Sequence, residues 1–209
     1  MYIIESPRLI LRPPSQIDDL LIHNLHNDPF VVNTIRDGLN STMEQSKAAL
    51  LNFTNHWQHH RFGLWMVFVK DEGTARKFAG YSGLMCSGTY RPDNPDDLPG
   101  DPNYVEMITG LHLLASGRAI GVEAGMAVLK SSFEVLKQDK VTAFILPTNK
   151  RSLIKNKKIG FVYIGDIIHK NRTWSRFEVS ALTALMADNV RVFSCKDPEM
   201  RSFGLGSRP

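Results

Sequence analysis

The segment SGRAIGVEAG, residues 116–125, places Gly117 and Gly121 at the start of a stretch that otherwise reads as a helix. Glycine costs a helix about 1 kcal/mol relative to alanine. Either the chain turns sharply into the helix here, or something must come close to its backbone. The apolar run before it ends at Leu114, so ASGRAIG is a strand-to-helix turn. The first N–H groups of a helix lack intrahelical acceptors and sit at the positive end of its dipole. A pyrophosphate suits that geometry. A plain tight turn would use the same glycines, so residue type alone leaves both readings open.

Other chemistry-bearing residues are sparser. His56 and His60 stand four apart on a helical pattern and could share a metal ion, but the sequence shows no third ligand and no metal is expected. Cys86 has no base in reach of its sequence neighbourhood and reads as a small buried residue. Residues 149–158, NKRSLIKNKK, form the locally basic stretch, which serves as a solvated helix face or meets a phosphate-bearing ligand through Lys150, Arg151 and Lys155.

The elements that must hold these residues follow from the periodicity. RLILRP (8–13) is a short strand, and Ser15 with Asp18 has the pattern of a capping box at the start of a helix. Ser41 with Glu44 repeats that pattern before a second helix carrying Leu50, Phe53 and Trp57. FGLWMVFVK (62–70) and KFAGYSGLM (77–85) read as a hairpin. The Pro-, Asp- and Gly-rich residues 90–103 read as a loop, followed by a strand over 104–114. Val122, Met126, Leu129, Phe133 and Leu136 recur at helical steps over about 118–137. A strand at 140–146, a short helix from Asn149 to Gly160 and a final hairpin (161–168, 174–183) complete the pattern. The expected fold is α/β, a central mixed sheet flanked by helices, with one parallel strand–helix–strand crossover at 104–146.

The 209 residues carry 43% hydrophobic side chains, enough for one core, and divide into a single domain over 1–188 and a tail over 189–209 without clear period. The net charge of +4 is mild and not gathered into a nucleic-acid stripe, so no nucleic-acid partner is expected. No run is long and apolar enough for a membrane span, and the N-terminus lacks a signal-peptide pattern. Two distant cysteines, Cys86 and Cys195, fit a reducing compartment, so the expectation is a cytoplasmic protein. A homodimer is compatible with the sequence.

Three blocks then stand in order and at matching spacing: VEMITGL (105–111), SGRAIGVEA (116–124) and PTNKRSLIKNKKIGF (147–161). With SPRLILRP (6–13), NHWQHHRFGLWMV (55–67) and FAGYSGL (78–84), they make the chain resemble the GNAT superfamily of N-acetyltransferases, over nearly all of 5–183. The branch it looks most like includes the ribosomal-protein N-terminal acetyltransferases. Relative to that family, Ser116 stands where Gln, Arg or Trp is usual, and Ala119 replaces the first glycine of the phosphate loop. The tyrosine acid of many relatives is missing from 149–158, where Ser152 is the hydroxyl at a matching position.

The resemblance implies a GNAT-like acyl-CoA fold and transfer of an acetyl group from acetyl-CoA, as co-substrate, to a primary amine by direct attack in a ternary complex. The acceptor would be a small molecule or a protein N-terminus. It implies Glu106 as the base, acting through water, and Ser152 as the group that bonds the cofactor sulfur or protonates the leaving thiolate. Pantetheine would lie along Leu111 to Leu113, with the Leu111 N–H toward the thioester carbonyl. Ser116, Gly117, Arg118, Ala119, Ile120 and Gly121 would hold the phosphates, and Asn149 would cap its helix and touch the pantetheine arm. An alanine at 119 is tolerated where φ is negative. His112 would point to the other sheet face as an ordinary hydrogen-bonded residue. Asp93, Asp96, Asp97 and Asp101 of the acidic loop would draw in a cationic amine. The alternative is a catalytically degenerate module of the same fold that binds CoA or a protein partner without acetyl transfer.

Overall fold

The computed structural model describes residues 2–34, 36, 38–70, 77–86, 104–169, 171–181 and 190–194. The acidic loop at 90–103, the hairpin turn at 72–76 and Cys195 lie outside these. The described strands form one sheet in the order β7 (Val162–His169), β8 (Arg172–Ser180), β6 (Lys140–Ile145), β5 (Val105–Leu111), β4 (Lys77–Cys86), β3 (Leu64–Val69), β2 (Leu9–Arg12), β1 (Tyr2–Glu5), β9 (Arg191–Ser194). Two strands open the chain where one was expected: β1 (Tyr2–Glu5) turns back at Ser6, whose N–H reaches the Leu9 carbonyl at 3.0 Å, into antiparallel β2 (Leu9–Arg12). The hairpin of β3 (Leu64–Val69) and β4 (Lys77–Cys86) forms as its alternation predicts. On β3, Leu64 and Met66 enter one core and Trp65 and Val67 the other, so this strand has a helix layer on each side.

Between β2 and β3 run three helices. Ser15 opens a single 3-10 turn, Gln16–Asp18, that leads into α1 (Asp19–His26). The Asp18 carboxylate accepts the Ser15 N–H at 2.7 Å and is clasped by Arg12 at 2.6 and 2.8 Å. A helix the periodicity did not disclose, α2 (Pro29–Thr34), starts with proline at its first position and with the Phe30 N–H on Asp28 Oδ1 at 2.9 Å. The cap of α3 (Met43–His60) falls one residue later than Ser41 and Glu44. Thr42 is the extended residue there: its Oγ1 accepts the Gln45 N–H at 3.2 Å, and Gln45 Oε1 accepts the Thr42 N–H at 2.9 Å. Ser41 is instead buried, with its hydroxyl accepting from Ser46 Oγ at 3.1 Å.

The feature that matters for function lies in the middle of the sheet. β5 (Val105–Leu111) pairs antiparallel with β4 along its whole length, from Gly80 opposite Leu111 to Cys86 opposite Val105. On its other side it meets parallel β6 (Lys140–Ile145) in register only at Glu106 opposite Thr142. β6 is fully paired instead with β8 (Arg172–Ser180), which also pairs with β7 (Val162–His169). The sheet therefore opens into a fork beyond Glu106. The crossover helix between the two strands is α4 (Ile120–Glu134), three residues shorter at its C-terminal end than the apolar pattern suggested. β5 ends at Leu111 rather than Leu114, because Leu113–Ala115 closes into a 3-10 turn with the Ala115 N–H on the His112 carbonyl at 2.9 Å. α5 (Lys150–Lys158) follows β6. In the stretch read as a tail, Arg191–Ser194 forms β9, antiparallel to β1 at the sheet edge.

Candidate active site

The fork encloses a cavity of about 100 Å³, lined on the β5 side by Glu106 to Thr109, on the β6 side by Ala143 to Leu146, and closed by α5. Glu106 is 5% exposed, sits where the strands last touch, and is one of the residues lining the cavity. The β5 backbone is set by the pleat. The His112 N–H goes to the Ala79 carbonyl of β4 at 2.9 Å. N–H directions alternate along a strand, so those of Thr109 and Leu111 turn toward the open fork. Two buried polar atoms here have no partner among the described residues, Asn156 Oδ1 and Trp174 Nε1. A donor and an acceptor left unmet in one cavity mark a place where bound molecules complete the hydrogen bonding.

A wider cavity of about 510 Å³ continues from the fork to the start of α4. Thr109, Asn149, Ser152 and Lys155 line both. Leu111, Ser116, Gly117, Ala119, Ile120 and Gly121 line the outer one. Asn149 caps α5 by accepting the Ser152 N–H on Oδ1 at 3.1 Å, and Ser152 Oγ accepts from Asn156 Nδ2 at 3.3 Å. The backbone in the turn before α4 is left-handed twice, at Gly117 (φ 76°) and at Ala119 (φ 57°). An alanine is tolerated in this turn where φ is negative; at Ala119 φ is positive, and the methyl stands in the region where a Cβ meets the following carbonyl, at a cost of about 1–2 kcal/mol. Ala119→Gly removes that strain but adds about 0.4–1 kcal/mol of unfolded-state entropy. The expected net gain is about 0.5–1 kcal/mol, read as a melting temperature raised by ~1–4 °C. An unchanged or lower value would show that this residue is not strained.

Two expected contacts fall elsewhere. Leu113 is nearly half exposed, and its N–H goes to Asp28 Oδ2 at 3.3 Å. Arg118 is exposed, and its carbonyl accepts from Arg8 Nη1 at 2.9 Å. Neither lines the cavities, because the 3-10 turn after β5 and the left-handed residue at 119 rotate both outward. Arg8 braces this turn from outside: its Nε lies 2.6 Å from Glu123 Oε2, and Glu123 Oε1 accepts from Ser6 Oγ at 2.6 Å.

His112 and Lys155 line the cavities, and Asp28, which the sequence did not single out, is held against His112. His112 Nδ1 lies 2.9 Å from Asp28 Oδ2, fastening α2 to the end of β5 at the rim of the outer cavity. Burial raises the Asp28 carboxyl, but hydrogen bonds from His112, Phe30 N–H and Leu113 N–H outweigh it and leave the group below its usual range. Lys155 is half-buried, with Nζ on Thr109 Oγ1 at 3.1 Å. Its position three residues after Ser152, on the inward face of α5, was the signal available in the sequence.

A family model for the GNAT acetyltransferase domain matches residues 8–162, well over half of the chain. The chain belongs to the GNAT acetyltransferase family. Solved structures agree on the fold. An acetyltransferase from Agrobacterium tumefaciens superposes with a TM-score of 0.67 at 16% identity, over 85% of this chain and 93% of that one. A GNAT-family acetyltransferase from Bacillus anthracis gives 0.64 at 19%, over 84% and 95%. The aminoglycoside acetyltransferase AAC(6')-Ib, solved with coenzyme A and kanamycin, gives 0.66 at 14%, over 84% and 96%.

In this GNAT domain the histidine pair of α3 meets the C-terminal end of β4 at Cys86, beside Met85, which stands opposite Glu106. The fold supplies the third group that the sequence did not show: His56, His60 and Cys86 bring their donor atoms within 4.8 Å of one another. Both ring nitrogens of His56 are already engaged, Nδ1 with the Phe62 carbonyl at 2.8 Å and Nε2 with the Cys86 N–H at 3.0 Å. The ring is thus a neutral strut between α3 and β4. Burial, against the Phe62 carbonyl, lowers its pKa to about 4. His26, packed edge-on to Tyr81, is lowered to about 3 by burial, then by the charges of Arg36 and His23. A histidine with a depressed folded pKa stabilises fully above its unfolded value of about 6.5 and loses that contribution as pH falls toward the folded value. Each costs about 1.4 kcal/mol per pH unit in that window. The melting temperature is expected to fall by on the order of 10 °C between pH 7 and pH 5. A flat profile over that interval would contradict the neutral assignment of both rings.

Proposed function

We propose that this GNAT domain transfers an acetyl group from acetyl-CoA to a primary amine, a small molecule or a protein N-terminus, by direct attack within a ternary complex. The observation that carries the reading is the fork: a buried carboxylate at its apex, outward-turned β5 N–H groups along one edge, and the first turn of α4 at its mouth. Acetyl-CoA would extend from that turn, phosphates against the N–H groups of Ile120 and Gly121 and the Ser116–Ala119 backbone, pantetheine beside Leu111 and Asn149. The Leu111 N–H would meet the thioester oxygen, where charge develops. Glu106 would take the proton of the attacking amine through water, since only the neutral amine is a nucleophile. Ser152 would meet the sulfur. A cytoplasmic setting fits the separated cysteines.

A second reading, a module of this fold that binds CoA or a protein partner without acetyl transfer, draws on one observation: an alanine at a left-handed position in the turn that lines the outer cavity. Incubation with acetyl-CoA and a panel of primary amines (polyamines, aminoglycosides, amino acids and peptides with free N-termini) separates the two. Amine-dependent release of the CoA thiol supports the enzyme. CoA binding with no release against any amine would assign the chain to the second reading.

A further inference from the structure

Lys155 projects from α5 into the junction of the two cavities, its stem against the start of α4, where a Cβ on Gly121 would lie 3.6 Å from Lys155 Cδ. Its ammonium has one partner among the described residues, the Thr109 hydroxyl at 3.1 Å, which shares a second hydrogen bond with Ser82 Oγ at 3.0 Å. No carboxylate among the described residues lies within ion-pairing distance. A cation drawn from water toward a neutral acceptor is costly, and an anion arriving beside it recovers that cost. Acetyl transfer generates an anion in this enclosure. We propose that Lys155 is the catalytic acid that stabilises and protonates the departing CoA thiolate, a step that rests on the acetyl-transfer reading above.

The step balances. The amine lone pair forms the C–N bond at the thioester carbon, the C–S bond breaks, and its electron pair goes to sulfur. A proton passes from Lys155 Nζ to sulfur, giving the free thiol and a neutral lysine. The amine's proton leaves through Glu106, and solvent restores Lys155. Burial lowers the lysine from its usual 10.5 to about 8. A thiol ordinarily titrates at about 8.5, so donor and acceptor are close to matched, the condition under which proton transfer is most effective. The Ser152 hydroxyl is a far weaker acid and is better placed to orient the sulfur than to protonate it. The titratable groups lining the cavities around Lys155 are Glu106 on β5, His112 after it, and Arg151 and Lys158 on α5; α2 and α4 contribute none.

The test follows the ultraviolet absorbance of the thiolate of bound CoA against pH, as the difference between protein with and without CoA, and needs no acceptor. In the wild-type protein the thiol is expected to ionise at least one pH unit below that of free CoA, a tenfold gain in thiolate at a given pH. Lys155→Met and Lys155→Gln should each lose the shift. A bound thiol that titrates with free CoA, or a shift that survives in either lysine variant, overturns the proposal while leaving CoA binding intact. Absence of CoA binding to the wild-type protein overturns the acetyl-transfer reading and this inference with it. The comparison of bound with free CoA stands on the wild-type protein alone, whatever the stability of the variants.

Discussion

Glu106→Gln is expected to lower the rate of amine acetylation by about 10²–10⁴-fold while leaving the affinity for CoA within about twofold. Glutamine keeps the size and one hydrogen-bonding oxygen of the native side chain, so the junction of β5 and β6 at Thr142 should persist. What disappears is the capacity to accept a proton. An amine held beside an uncharged amide must lose its proton to bulk solvent before attack. The loss should therefore appear in kcat and shrink as pH rises and more of the amine is neutral in solution. Stopped assays over pH 6–10 with calorimetric CoA titration check both halves. A variant with undiminished kcat would assign Glu106 to structure.

Gly121→Leu is expected to weaken CoA binding by about 100-fold or more, with the fold retained. The glycine lies in the first turn of α4, where an added Cβ would already stand 3.3 Å from Leu111 Cδ1 and 3.6 Å from Lys155 Cδ. Those are side-chain ends that yield by a few tenths of an ångström, so the helix itself need not move. The remaining atoms of a leucine would project into the outer cavity, between the β5 edge and α5. That is the passage proposed for pantetheine. A branched side chain there replaces a ligand's contacts with a clash, and about 2.7 kcal/mol of lost binding is the hundredfold effect. Unchanged CoA affinity in a folded Gly121→Leu protein would place the cofactor elsewhere. By contrast Gly125, whose added Cβ would come within 2.7 Å of Ile159 Cδ1, serves the packing of α4 on the turn after α5 and is not a control for ligand access.

Much of this arrangement was legible in the sequence because it is written in short-range chemistry. Alternation on β3, the steps of three and four along α4, the Asn149 cap and the strand–helix–strand order through 104–146 each depend on neighbours in the chain. The family followed from three blocks in order. What stayed hidden depends on partners far away. Ala119 adopts a left-handed backbone because the turn out of Leu113–Ala115 must aim α4 back over the sheet; no residue type announces it. Leu113 and Arg118 line neither cavity, their side chains turned to solvent around that turn. Lys155 reads as one more charge in a basic helix, and only the closure of α5 over the fork turns it inward. The cap of α3 slipped from Ser41 to Thr42 because Asn27, fourteen residues earlier, claims the Ser41 backbone N–H at 3.0 Å. Strand β1 and strand β9 are each four residues long and are held by pairing between distant parts of the chain, β1 with β2 and β9 with β1.

The central claim is that the mouth of the fork, built from the first turn of α4 and the free edge of β5, holds acetyl-CoA. Titration of acetyl-CoA into the wild-type protein, followed by calorimetry, tests it most directly. The expected result is one-to-one binding with a Kd on the order of micromolar, about −8 kcal/mol. No heat of binding at millimolar acetyl-CoA would contradict the account.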